Sequence, residues 1–134
     1  MDSKKLLTES STIQDECLFR VQIPANDVSQ VLQAIVRVTP LRYGNYEQVA
    51  FRCRGGIQQY KPLAGSKTGE AELVHILSDE VSFTIPKHDE IITAVIDAVF
   101  QSHPHEEPVI LIQDVMCTRF KYGQKKLRAP KAKF

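Results

Sequence analysis

The side chains with the most evident chemistry lie together in one short string, His103-Pro-His-Glu-Glu-Pro108. It holds two imidazoles and two carboxylates, which are donor types that bind divalent metal ions. In an extended segment the side chains alternate, so His103, His105 and Glu107 would share one side. These three residues form a candidate site for a divalent metal ion. Together with Glu106 they form a candidate ligand-binding site.

The same string also has a structural interpretation, which we favour. Pro104 and Pro108 fix the backbone angle φ at two points, and this favours a turn or a bulge. Either Glu106 or Glu107 would then accept hydrogen bonds from backbone N–H groups where a helix leads into a strand. The sequence leaves both interpretations open.

A second candidate site is the glycine-rich region from Gly55 to Gly69, which is predicted to be an elaborated hairpin loop. The backbone N–H groups of this loop, which begins with Gly55 and Gly56, would bind an anion as phosphate-binding loops do, with Arg52, Arg54, Lys61 and Lys67 nearby. The sequence contains neither G-x-x-x-x-G-K-[ST] nor G-x-G-x-x-G. A solvated hairpin is therefore the more frequent explanation.

A catalytic function would require a nucleophile with a base, a pair of catalytic carboxylates or a cofactor loop. Ser102 and His103 are neighbours in sequence, which says little about geometry, and G-x-S-x-G is absent. The sequence therefore favours a protein that is not an enzyme. A metal-dependent hydrolase that uses the string from His103 to Glu107 is the alternative.

The elements that must position these strings follow from two similar halves. Val21-Gln-Ile-Pro24 and Phe83-Thr-Ile-Pro86 each combine a strand-like run, a proline, a following acid and an amphipathic helix. The predicted strands cover residues 17–24, 46–54, 71–85 (one long strand or two short ones) and 109–116. Their order is β-α-β-β-α-β. Right-handed crossovers then place both helices on one face of an antiparallel sheet, which is the α+β, ferredoxin-like split βαβ fold.

The length of 134 residues suits one domain. We predict a flexible N-terminal arm (1–16), a folded domain (17–118) and a basic C-terminal tail (119–134). From residue 119 onward there are seven basic residues and no acid. The tail is thus a further candidate, as an adaptor for a partner or nucleic acid, although the strands lack the aromatic pattern of RNA-binding domains. Nucleic acid is therefore a disfavoured partner.

Cellular location and cysteine chemistry follow from composition. No stretch approaches the roughly 18–20 consecutive apolar residues that a membrane span needs, and the polar N-terminus does not resemble a signal peptide. The protein is predicted to be cytoplasmic, without a membrane partner. Cys17, Cys53 and Cys117 lie far apart in strand-like runs, and we predict that they are buried, reduced thiols.

Three strings together resemble the inserted domain of the Ngg-interacting-factor-three (Nif-three-like) family. They are Tyr43-Gly-Asn-Tyr46, the stretch from Gly55-Gly56 to Tyr60-Lys-Pro62, and His103-Pro-His-Glu-Glu-Pro108. The family strings are G-N-Y before a strand, a glycine-rich turn with an aromatic residue and proline, and H-P-Y-E-E-P-A. The resemblance runs from Phe19 to about Val115. This chain departs from it at His105, where the family has Tyr, and at Val109, where the family has Ala.

The resemblance implies a fold like that of the PII signalling proteins and the CutA family, which are commonly trimeric. It adds Tyr43, Asn45 and Tyr46 to the ligand-binding candidates. The dinuclear metal centre of the larger family members belongs to flanking domains, which this chain is too short to contain. The implied function is a PII/CutA-like binding or assembly module that is not an enzyme. It would be a homo-oligomer, with a trimer favoured, and would bind a small molecule, a metal ion or a protein partner between subunits.

Overall fold

The computed structural model describes residues 6–121, and within this range the chain forms four strands and two helices in the predicted order. A short 3₁₀ turn, Ala25–Asp27, joins the first strand to the first helix. The elements are β1 (Ser11–Pro24), α1 (Val28–Val38), β2 (Phe51–Tyr60), β3 (Val74–Pro86), α2 (Asp89–Ser102) and β4 (Ile110–Phe120).

The four strands form one antiparallel sheet in the order β2-β3-β1-β4. The two central strands, β1 and β3, place Phe19 opposite Phe83 and Val21 opposite Val81. The two phenyl rings stack with their centroids 5.4 Å apart. The predicted split βαβ fold is confirmed, and its order brings the two similar halves side by side at the centre of the sheet.

The core lies between the sheet and the two helices. Phe19, Val21 and Ile23 of β1 are fully buried, whereas the intervening Leu18 and Arg20 are only partly buried. This alternation is typical of an antiparallel sheet covered on one face. Burial of one such side chain stabilises the fold by roughly 1.5–3 kcal/mol. The helices contribute further buried residues, namely Val28, Val31, Ile35, Val95 and Val99.

Each helix begins shortly after the proline that ends the preceding strand, as the repeated pattern predicted. Asp27 is the N-cap residue of α1 and His88 is the N-cap residue of α2, but neither side chain makes a capping hydrogen bond to the described residues. Helix α1 ends at Val38, because the residue before Pro40 is driven out of the helical conformation. No helix within residues 6–121 is long and apolar enough to cross a membrane.

The sheet extends beyond the predicted domain boundaries. Strand β1 begins at Ser11 and β4 ends at Phe120, so residues 11–16 and 119–120 belong to the sheet rather than to the arm and tail. These segments are polar and lack an apolar pattern, which is why the sequence did not reveal them as strands. Their mutual pairing and the ion pair between Glu16 and Arg119 stabilise them. The rest of the arm to residue 5, and the tail from residue 122, lie outside the described residues.

The glycine pair was predicted to open a loop but lies inside β2. The register between β2 and β3 shifts between Cys53 and Gly56, which is a β-bulge. Gly55 has a φ of +90°, which favours glycine. A Cβ atom on Gly56 would lie 2.7 Å from the carbonyl oxygen of Ser78. Both glycines are therefore required by the geometry of the bulge, and β3 runs past it without a break.

The three cysteines differ in exposure. Cys17 is buried, Cys117 is half-buried and Cys53 is exposed. The prediction of a buried thiol is therefore wrong for Cys53, because β2 is an edge strand. Burial raises the pKa of the Cys17 thiol, and the nearby carboxylate of Asp114 adds to this effect.

Candidate functional site

His103 lies directly after α2, where its backbone N–H donates to the carbonyl oxygen of Val99. Its imidazole is buried and is held at both nitrogens. Nε2 lies 2.7 Å from the carbonyl oxygen of Gln22, and Nδ1 accepts a hydrogen bond from the backbone N–H of His105 at 3.0 Å. This arrangement requires the neutral tautomer with the proton on Nε2. Burial lowers the pKa of His103, which favours the same neutral form.

The hydrogen bonds of His103 determine whether this residue is able to bind a metal ion. A metal ion needs a free lone pair on an imidazole nitrogen, and the lone pair of His103 is engaged by His105. Within residues 6–121 no three His, Cys, Asp or Glu side chains form a group that could hold a metal ion. The predicted set of His103, His105 and Glu107 is therefore not assembled.

The rest of the string contacts the loop that follows β2. The ring of His105 lies edge-on between two other rings, with centroid distances of 5.1 Å to His103 and 5.6 Å to Tyr60. The carboxylate of Glu106 accepts a hydrogen bond of 2.6 Å from the backbone N–H of Lys67. Glu106 thus binds a backbone N–H group as the structural interpretation expected. The N–H group of Lys67 belongs to the distant loop, however, and not to the junction of helix and strand. The side chain of Glu107 is exposed.

The predicted anion site at the glycine pair contains an anion of the protein itself. The buried carboxylate of Asp79 accepts hydrogen bonds from the backbone N–H of Gly55 at 3.3 Å and from Nε of Arg52 at 2.7 Å. The hydrogen bond from Arg52 is the main cause that lowers the pKa of Asp79. An external anion would have to displace this carboxylate from Gly55. Lys61 lies five residues beyond Gly56, roughly 16 Å along the strand, and does not join the site.

Tyr43-Gly-Asn-Tyr46 forms a tight two-residue turn. The backbone N–H and carbonyl groups of Tyr43 and Tyr46 pair with each other at 2.8 and 3.1 Å, and Gly44 has a φ of +61°. A glycine at the first central position with positive φ is typical of a type II′ turn. The family string is therefore explained by turn geometry. Asn45 lies at the tip of the turn, and Tyr46 is exposed.

Behind this turn lies a cluster that the sequence did not reveal. The guanidinium of Arg119 lies 3.6 Å above the centre of the Tyr43 ring and pairs with Glu16 at 2.8 Å. Both members of this ion pair are largely buried. No sequence signal joins residues 103 positions apart, because only the register of β1 and β4 brings them together.

The predicted ligand-binding residues therefore separate into two groups. Tyr43 stacks on Arg119, and Arg119 lies opposite Thr12 of β1. His103, in contrast, binds Gln22 on the same strand. Ten residues of strand span roughly 33 Å. The turn and the His103 string thus lie at opposite ends of the sheet.

The order of strands, their antiparallel pairing and the two covering helices define a PII/CutA-like α+β domain. Solved structures share this fold. The CutA1 divalent ion tolerance protein of Ehrlichia chaffeensis aligns with a TM-score of 0.54 at 14% identity, covering 75% of this chain and 80% of that one. A Bacillus cereus protein related to NIF3 aligns with a TM-score of 0.63 at 20% identity, covering 81% of this chain and 28% of that one. At these identities the likeness concerns the fold.

A protein with a similar sequence indicates which kind of PII/CutA-like domain this is. The chain is 39% identical over 92 residues to the "GTP cyclohydrolase 1 type 2 homolog" of Bacillus subtilis (strain 168), which covers 65% of this chain and 23% of that protein. No family model matches the chain. The chain contains a NIF3/CutA-like domain, as the three strings implied. It spans only 23% of the relative that it matches.

Proposed function

We propose that this domain is a PII/CutA-like binding or assembly module, rather than an enzyme, that works as a homo-oligomer. A trimer is the state that the family resemblance implies. Small molecules, metal ions or protein partners would bind between the subunits. The observation that supports the proposal is a projecting arm of the sheet with exposed apolar side chains. This arm comprises residues 57–60 and 74–77 and is distinct from the N-terminal arm.

The arm is formed by the parts of β2 and β3 that continue beyond β1. Strand β3 pairs with β1 from Ser78 to Pro86, whereas its pairing with β2 continues to Val74 and Tyr60. On this arm Ile57 lies opposite Leu77, and each residue is 67% exposed. Burial of a large apolar side chain is worth roughly 1.5–3 kcal/mol, so this pair favours coverage by another surface.

The two edges of the sheet supply a matching contact. Within the described residues the outer edges of β2 and β4 have no partner strand, so their backbone N–H and C=O groups are available for pairing. Edge β2 carries the exposed Phe51, and edge β4 carries the exposed Leu111 and Ile112, while the carboxylate of Asp114 on β4 is already paired with Lys87 at 3.2 Å. The exposed apolar side chains on both edges favour pairing of β2 in one copy with β4 in the next. Such a head-to-tail contact forms a closed ring when its rotation permits.

The test is the subunit mass of the purified protein by light scattering at micromolar concentration. We expect a trimer for the natural sequence and smaller species for Ile57→Asp and Leu77→Asp. The matched control is Val38→Asp at the end of α1, where the side chain is 46% exposed and lies near the Tyr43–Tyr46 turn at the other end of the sheet; it should keep the trimer. A monomer at this concentration, or a mass that none of the arm variants alters, would contradict the proposal.

The alternatives have less support. The hydrolase would need a group of metal ligands, and none is found within residues 6–121. The adaptor would act through the basic tail, most of which lies outside the described residues. The cytoplasmic location stays a prediction from the sequence.

A further inference from the structure

A cleft of about 550 Å³ lies beside the Tyr43–Tyr46 turn, far from His103. Its volume falls within the range of roughly 300–1,000 Å³ that is common for small-molecule sites. The turn after α1 and the paired ends of β1 and β4 form its sides. Apolar walls are provided by Pro40, Pro86, Ile91 and Phe120, each of which is at least partly accessible.

The charged groups of the cleft leave one cation unmatched among its lining residues. The lining contains Arg42, Arg119 and a single carboxylate, that of Glu16. Arg119 is paired with Glu16 and stacked on Tyr43, so its charge is already compensated. Arg42 is exposed, and within residues 6–121 it makes one hydrogen bond, a long one of 3.4 Å from Nε to the carbonyl oxygen of Gly44.

The rim that carries this cation is held in place by backbone hydrogen bonds. Gln48 and Val49 donate to the carbonyl oxygens of Pro40 and Leu41 at 2.8 and 3.0 Å, in addition to the paired bonds of the turn. The rim thus presents Arg42 and Asn45 at the mouth of the cleft, and its backbone needs no further ordering when a ligand binds. A preformed rim reduces the entropy that is lost when a ligand binds.

We propose that this cleft binds a small organic anion with an apolar body, such as an aryl-alkyl carboxylate. The guanidinium of Arg42 would bind the carboxylate through two N–H donors, and the amide of Asn45 would donate a third hydrogen bond. The apolar body would lie against Ile91 and Phe120. The site lies within one chain, so it does not depend on the assembly proposed above, and either proposal can fail without the other.

The test is a titration of the full chain with 3-phenylpropionate, followed by amide chemical shifts in NMR spectra. We expect saturable shifts at Thr12, Gly44, Asn45 and Thr84, which line the cleft. Acetate, which lacks the apolar body, and 3-phenylpropionamide, which lacks the charge, should each bind about tenfold more weakly. Arg42→Gln should weaken binding of the acid to the same extent. Arg37→Gln, which removes an exposed arginine of α1 that does not line the cleft, should not.

Three results would overturn the proposal. The first is an absence of saturable shifts with 3-phenylpropionate. The second is equal affinity for the acid and its amide, which would remove the role of the cation without relying on any variant. The third is an unchanged affinity in Arg42→Gln.

Discussion

The imidazole of His103 joins the end of α2 to β1 through a hydrogen bond of 2.7 Å between Nε2 and the carbonyl oxygen of Gln22. The two residues are 81 positions apart, and the imidazole is buried. Its second nitrogen accepts the backbone N–H of His105, so one side chain sets the path of the chain from helix to string. His103, which the sequence indicated as a candidate metal ligand, thus has a structural role in this fold.

Substitution His103→Ala tests this role. It removes the hydrogen-bond partners of two backbone groups and leaves a cavity, so we expect the free energy of unfolding to fall by about 1–3 kcal/mol. Urea unfolding measures the change. His75→Ala, at an exposed histidine of β3, is the control and should have little effect. Equal effects of the two substitutions would show that His103 does not join the two elements.

The pH dependence of stability follows from the same residue. Burial lowers the pKa of His103 in the folded state, so the unfolded chain binds a proton at a higher pH than the native chain does. The contribution of neutral His103 is therefore present above about pH 6.5, the usual histidine pKa, and declines as the pH falls through the folded pKa. Melting temperatures between neutral and mildly acidic pH should fall more steeply in the natural sequence than in His103→Gln. Identical slopes would count against this assignment.

The bulge in β2 predicts an asymmetry between two glycines. Gly56→Ala would place a Cβ atom 2.7 Å from the backbone oxygen of Ser78, so the two strands must separate. We expect a loss of about 1–3 kcal/mol in the free energy of unfolding, as for other overpacked sites. Gly65→Ala is the matched control, because a Cβ atom there would meet no atom of the described residues within 4 Å. If both variants unfold at the same urea concentration, the bulge does not have the described geometry.

The contact between Glu106 and Lys67 predicts a local effect. Glu106→Ala removes the acceptor of the Lys67 backbone N–H, so hydrogen exchange at this amide should become several-fold faster. Because the contact is exposed, the global stability should fall by about 0.5 kcal/mol at most. Glu107→Ala changes the adjacent exposed carboxylate and should leave exchange at Lys67 unaltered. Equal exchange rates in the two variants would contradict the contact.

Local sequence determined the order and nature of the elements in this protein. Apolar spacing over a few residues and the prolines at positions 24, 40 and 86 mark helices and strands, because these signals act between near neighbours. The repeated strand, proline, acid and helix then specified the split βαβ order, and three strings indicated the NIF3/CutA-like domain. The role of Gly44, which supplies the positive φ of its turn, likewise depends only on neighbouring residues.

Only the tertiary structure decided which distant residues meet. The polar ends of β1 and β4 form strands because they pair with each other, and this pairing unites Glu16 with Arg119. The bulge brings the backbone N–H of Gly55 to the carboxylate of Asp79, and burial of His103 against β1 favours its neutral form. Strand register and burial depend on contacts between segments far apart in sequence, and no local pattern encodes them.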